Sequence, residues 1–338
     1  MYYTPAIIPI AFWTLKNITM TLKTKLTQQL NIKHPVILAP MAGVSGGAIA
    51  GAVSAAGGLG LIGAGYGNKE WLKQELARSY SADTGTGFIT WSLAKQPRLL
   101  DMALAAKPKA IMLSFGDETP FIRLIKDAGA AVICQVQTLE HALSAHDNGA
   151  DVIVAQCSEA GGHAAIRGTL SLVREVVDRI DTVPVVAAGG FVDGRGLAAA
   201  LMLGASGVLM GTRFYATQES LAPAQAKERA TEATGDMTLQ SGVMDMLRNK
   251  DWPAPYKLRA LQNDTLDQWH GREDQLAREI NEERMAYEMA SADHDFDHAA
   301  VIVGEATGML KDIPTAGEVI EDIVTEAKAC LKSPPGCL

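Results

Sequence analysis

From residue 35 onward, short apolar runs recur along the chain. Each ends in small residues and is followed by a stretch whose apolar positions repeat with the period of a helix. The pattern predicts strands over 35–40, 58–62, 87–93, 109–114, 130–135, 151–156, 183–188 and 207–210. It predicts helices over 46–56, 68–80, 96–105, 118–128, 138–148 and 193–203, with Trp71, Leu72 and Leu76 on one face of the second. Strand and helix alternating in this way predict an α/β fold, a TIM (β/α)8 barrel. A doubly wound parallel sheet is the lesser alternative, because it usually has fewer units. From 219 to 297 the pattern changes to long, charged helices with no strand signal, broken at 244–256 by a proline-containing loop, RNKDWPAPYK. This reads as a helical insertion after the eighth strand, and the amphipathic run 316–330 reads as the helix that closes the barrel.

The expected division is therefore an N-terminal arm (1–23), a barrel (24–218 with 305–338) and a helical substrate-side domain (219–304). The first nineteen residues are apolar, interrupted by Pro5 and Pro9, and lack the basic start of a signal peptide. They read as a loose arm or as a start chosen upstream of Met20.

Composition narrows the partners. The 338 residues are 48% hydrophobic and 20% charged, ordinary for a globular protein. A net charge of −8 gives no electrostatic footprint for nucleic acid or an anionic membrane, so neither is expected as a partner. No run of apolar residues is long enough to span a bilayer. Four cysteines without paired spacing point to a reducing compartment, hence a cytoplasmic protein. Cys337 lies too close to the end for prenylation.

Chemistry concentrates at the strand ends. Ala188-Gly189-Gly190 and Met210-Gly211-Thr212 follow the seventh and eighth strands, where barrels commonly build a phosphate site from backbone N–H groups and a helix N-terminus. Glycines that merely cap tight turns are the plain alternative. His163 follows Ala160-Gly161-Gly162, read as a flexible loop on the same edge. A histidine there can take a proton from a substrate carbon near neutral pH, or only hydrogen-bond the loop.

Three other motifs carry less. Gly58-Leu-Gly-Leu-Ile-Gly63 matches a dinucleotide fingerprint in letters, but it lies inside a strand and is preceded by a helix, so close packing explains it better. His294-Asp-Phe-Asp-His298 has histidines four apart in a charged stretch, and surface charge is expected rather than a metal. Cys157 reads as a buried structural thiol.

Taken together, Ala39-Pro-Met-Ala-Gly-Val-Ser45, Glu159-Ala-Gly-Gly-His163, Val185-Val-Ala-Ala-Gly-Gly190, Asp193-Gly-Arg-Gly196 and Met210-Gly-Thr-Arg-Phe214 resemble the FMN-dependent nitronate monooxygenases, once called 2-nitropropane dioxygenases. The resemblance spans roughly residues 24–330. It implies FMN held noncovalently at the C-terminal strand ends. Ala39, Pro40 and Met41 would line the isoalloxazine, and Gln135 and Gln156 would contact the ring or ribityl chain. Gly162, Gly189, Gly190, Gly211 and Thr212 would hold the phosphate, and His163 would be the catalytic histidine. Two places depart from the family pattern: Ala164 and Ala165 follow the histidine, and the third strand reads Phe88-Ile-Thr-Trp-Ser92.

The implied reaction is oxidation of an alkyl nitronate by molecular oxygen to a carbonyl compound and nitrite, with His163 orienting the anion or deprotonating a neutral nitroalkane. A homodimer is left open. The alternatives are an NAD(P)H-dependent flavin reductase on the same scaffold, either an enoyl-acyl-carrier-protein reductase or a quinone reductase, and a flavin-binding protein without turnover.

Overall fold

Strand by strand, the chain forms β1 (Val36–Leu38), β2 (Leu61–Gly63), β3 (Gly85–Ile89), β4 (Ala110–Ser114), β5 (Ala131–Val136), β6 (Val152–Gln156), β7 (Gly162–Ala164), β8 (Val185–Ala188), β9 (Val208–Met210), β10 (Thr238–Ser241) and β11 (Lys257–Leu261). This computed structural model describes residues 22–81 and 83–336, so the readings of the N-terminal arm and of Cys337 fall outside it. Eight of the strands form one parallel sheet in the order β1-β9-β8-β6-β5-β4-β3-β2. The sheet closes at Leu59, whose N–H donates to the Val36 carbonyl at 3.0 Å and whose carbonyl accepts from Leu38 N–H at 2.9 Å. The (β/α)8 barrel expected from the periodicity is the fold.

Period-two alternation divides the strand residues between two cores. Ile37, Met112, Ile133, Val152, Val154, Val186 and Leu209 face the barrel interior. Val36, Leu38, Ile111, Val132, Ile153, Ala187 and Val208 face the helices. Leu26 and Leu30, from and just after helix Lys25–Gln29, also join the interior cluster. Each fully buried Ile, Leu or Val contributes roughly 1.5–3 kcal/mol relative to exposure, which makes this double core the main stabilising term. The glycines of the false fingerprint serve close packing. A Cβ on Gly58 would meet the Val36 carbonyl oxygen at 2.8 Å, one on Gly60 would strike the Ala50 backbone, and one on Gly63 would meet the Met41 carbonyl oxygen at 2.5 Å.

The barrel wall is completed by helix Ala316–Lys332, started by a Thr315/Glu318 capping box. It packs so closely on helix Gly194–Met202 that a Cβ on Gly194 would lie 2.5 Å from Ala327 N.

The segment after β9 corrects one expectation. It carries helices Ala224–Glu232, Val243–Leu247, Asp264–Trp269 and Glu273–Ala292, but also β10 and β11, which pair antiparallel with each other. β11 then pairs with β7, so the insertion is stitched to the short strand that carries the histidine. The strand signal was hidden because TLQS and KLRAL mix polar and apolar residues on a ribbon with one solvated face. The N-terminal part of the expected loop 244–256 is helical as well.

Candidate active site

The strand alternation that fills the barrel also decides what faces its C-terminal mouth. Gln135 and Gln156 continue the inward rows Ile133 and Val152-Val154 by two residues, so both amides point into the top of the barrel. They are buried and joined, with Gln135 Nε2 donating to Gln156 Oε1 at 3.0 Å. Gln137 Nε2 donates to the same oxygen at 2.7 Å.

Above them lies a cavity of about 1200 Å³, open solvent at its mouth included. Ala39, Pro40, Met41, Gln135, Gln156, Gly162, His163, Ala188, Gly189, Gly190, Gly211 and Thr212 all line it. Met210 does not. It belongs to the outward parity of β9, so its side chain is buried in the core between sheet and helices, and only its backbone is left for a ligand.

Gly189 and Gly190 leave β8 with φ of +100° and +82°, a conformation that favours glycine. A Cβ on Gly189 would also meet the Cys157 carbonyl oxygen at 2.9 Å. The N–H groups of Gly190, Gly211 and Thr212 make no hydrogen bond among the described residues and stand at the cavity wall. The expected help from the next helix is corrected. The N-terminus of Gly194–Met202 is already taken, because Asp193 accepts from Gly196 N–H at 2.8 Å and Glu326 accepts from Gly194 N–H at 2.7 Å.

His163 is not on a flexible loop. It sits in β7 opposite Leu258 of β11, and a Cβ on the neighbouring Gly161 would press on the Val303–Gly304 backbone at 2.5–2.6 Å. Its Nε2 lies 2.9 Å from both carboxylate oxygens of Asp245, in helix Val243–Leu247. The acceptor makes Nε2 the protonated nitrogen and leaves Nδ1 free to accept a proton. Trp252 stacks on the imidazole, with ring centroids 3.4 Å apart and planes within 10°. Burial holds the His163 pKa below 6.5, and the Asp245 carboxylate opposes that shift in part.

Around this pair stand Phe115, 5.0 Å from Trp252 edge-on, and Tyr66, whose hydroxyl accepts from Trp252 Nε1 at 3.1 Å. Phe115 has φ of +62°, unusual for a bulky residue, in the turn that aims its ring at Trp252 and His163. Arg248, one turn after Asp245, is the only residue with a full charge lining the cavity, among the described residues.

Sequence reasoning missed Asp245, Arg248 and Trp252. The available signals were an aspartate inside the otherwise apolar VMDML and two aromatics in WPAPY.

The remaining motifs resolve simply. Helix Glu273–Ala292 ends before His294, so the two histidines do not share a helical face, and His298 Nδ1 pairs with Asp295 at 2.8 Å. Burial pushes the Cys157 thiol up to about 12, so it is not a nucleophile at neutral pH.

A barrel whose mouth combines glycine-rich strand ends with one tethered histidine has the layout of a TIM-barrel enzyme site. The family model "Nitronate monooxygenase" matches residues 23–103 and 88–326, and the chain belongs to that family. A nitronate monooxygenase of Neurospora crassa is 32% identical, over 89% of this chain and 91% of its own. A Mycobacterium tuberculosis protein named (3aS,4S,5R,7aS)-5-hydroxy-7a-methyl-1-oxo-octahydro-1H-indene-4-carboxyl-CoA dehydrogenase is 30% identical, over 91% of this chain and 97% of its own. Among solved structures, FabK from Thermotoga maritima superposes with a TM-score of 0.82 at 30% identity, covering 93% of this chain and 99% of its own.

Proposed function

We propose that this protein oxidises alkyl nitronates with molecular oxygen, using FMN bound at the barrel mouth, to a carbonyl compound and nitrite. The observation that carries the reading is His163, tethered through Nε2 to Asp245 in the same cavity as three backbone amides that make no hydrogen bond among the described residues. In this reading residues 24–218 with 305–338 bind the cofactor, and 219–304 cover the substrate. The buried free cysteines Cys134 and Cys157 suit a reducing, cytoplasmic setting.

The donor set fits FMN. The amides of Gly190, Gly211 and Thr212 offer a phosphate three hydrogen bonds without a lysine, in a cradle that side chains at Gly189 and Gly190 would strain. Ala39, Pro40 and Met41 offer a planar ring an apolar shelf, and Gln135 and Gln156 offer amides for its polar edge. Bound FMN supplies the electron-accepting and oxygen-reducing chemistry that no side chain here can supply.

His163 does the proton work. Its depressed pKa keeps it neutral at pH 7, so Nδ1 accepts the α-proton of a nitroalkane while Asp245 steadies the imidazolium that forms. Trp252 and Phe115 keep water from that face. His163→Asn should keep bound flavin and lose about 100-fold or more of turnover on neutral nitroethane. Unchanged turnover at full flavin occupancy would remove His163 from the mechanism.

A second reading is supported by the FabK likeness and by the apolar wall of Phe115, Leu258 and Ile302, which suits an acyl chain. An NAD(P)H-dependent reductase would bleach its flavin rapidly when mixed anaerobically with NADH.

A further inference from the structure

We propose that Arg248 is a substrate-binding residue that selects a planar, two-oxygen anion, the nitronate form of a nitroalkane, over its neutral conjugate acid. The inference rests on the nitronate reading above and deepens it. The protein carries a net charge of −8, yet the only full charge lining its cavity, among the described residues, is this guanidinium. Its Nη1 is buried and has no hydrogen-bond partner among the described residues. Its pairing is loose, with the Asp245 carboxylate at 4.0 Å, already engaged by His163 at 2.9 Å, and the Tyr66 ring centre 5.9 Å from Cζ. A buried donor without a hydrogen bond is costly unless a ligand completes it.

The placement suits such a ligand. Arg248 caps the C-terminus of the helix that carries Asp245, so one short element positions both the base's partner and the guanidinium. Arg248 and His163 both line the cavity, linked through Asp245. Two more cations rest on aromatic faces around the Tyr66–Trp91–Trp252 cluster. Lys250 Nζ is 4.5 Å from the centre of Tyr66, and Lys95 Nζ is 4.8 Å from that of Trp91. These cations lie near the aromatic cluster, whereas Arg248 alone of the three lines the cavity. A nitronate spreads its charge over two oxygens on one nitrogen, in the flat geometry that a guanidinium fork matches and an ammonium does not.

The test compares flavin-loaded wild type with Arg248→Met and Arg248→Lys, each checked for equal flavin content. Steady-state rates are taken with ethyl nitronate and with nitroethane. Binding of butyrate, an unreactive two-oxygen anion, is measured by calorimetry. Arg248→Met should raise KM for ethyl nitronate about tenfold or more, lower turnover of nitroethane as well because its deprotonation yields the same anion, and lose butyrate binding. Arg248→Lys should recover only part of the loss, even if Arg248→Met folds poorly. Wild-type KM for ethyl nitronate, but not for nitroethane, should rise with salt. Wild-type butyrate affinity and nitronate KM in either variant would overturn the proposal. If no nitronate is turned over by any form, the nitronate reading fails, and the butyrate measurement still decides whether Arg248 binds an anion.

Discussion

His163 sits in a chemical environment built almost entirely by residues distant in sequence: Asp245 at its Nε2, Trp252 on its face and Phe115 at its edge. Burial under the aromatic neighbours lowers its pKa more than Asp245 raises it, so kcat/KM for nitroethane should rise with pH through an apparent pKa below 6.5 and then level. Trp252→Ala admits water and removes that cause. The pKa of His163, read by NMR titration, should move up toward 6.5, and an unchanged value would assign the shift to another cause. The histidine itself was legible from AGGH at a strand end. Its tether was not, because nothing local in VMDML says that Asp245 meets residue 163.

Among elements, the strands were the most legible, because period two and apolar runs specify both their place and their inward face. Gln135 and Gln156 point to the mouth for that reason, and Met210 does not. The small sheet of β7, β10 and β11 was not legible, since a half-solvated ribbon lacks a continuous apolar run. Two elements invite direct tests. Gly189→Ala forces a side chain onto a φ of +100° and against the Cys157 carbonyl. It should cost about 1–3 kcal/mol of stability in denaturant unfolding and lower the flavin-to-protein absorbance ratio. The small-residue helix Gly47–Ala55 has no side-chain cap of its own. Buried Glu75 accepts from Gly47 N–H at 2.8 Å and is paired with Arg78 at 2.6 Å. Glu75→Ala should cost about 2 kcal/mol, and a loss below about 0.5 kcal/mol would show that water replaces the carboxylate there.

The molecule as a whole is a closed barrel with an insertion after β9 stitched to it through β11. No helix among the described residues is long and apolar enough to cross a membrane. Its pH stability should report His34, whose pKa is lowered to about 4 by burial, with Lys33 and Lys328 adding to the shift. The folded state resists the proton that the unfolded chain takes up near 6.5. Stability therefore falls as pH drops from about 6.5 toward 4, and His34→Gln should flatten that slope in urea melts.

At the same scale, we propose that flavin at this barrel mouth oxidises a nitronate with oxygen rather than carrying electrons from a nicotinamide. It is tested most directly by oxygen consumption of the flavin-loaded protein with propionate 3-nitronate or ethyl nitronate, beside anaerobic mixing with NADH. Rapid oxygen uptake with nitrite release, and a flavin that stays yellow with NADH, is the predicted result. Rapid bleaching by NADH with no oxygen uptake on either nitronate would contradict it.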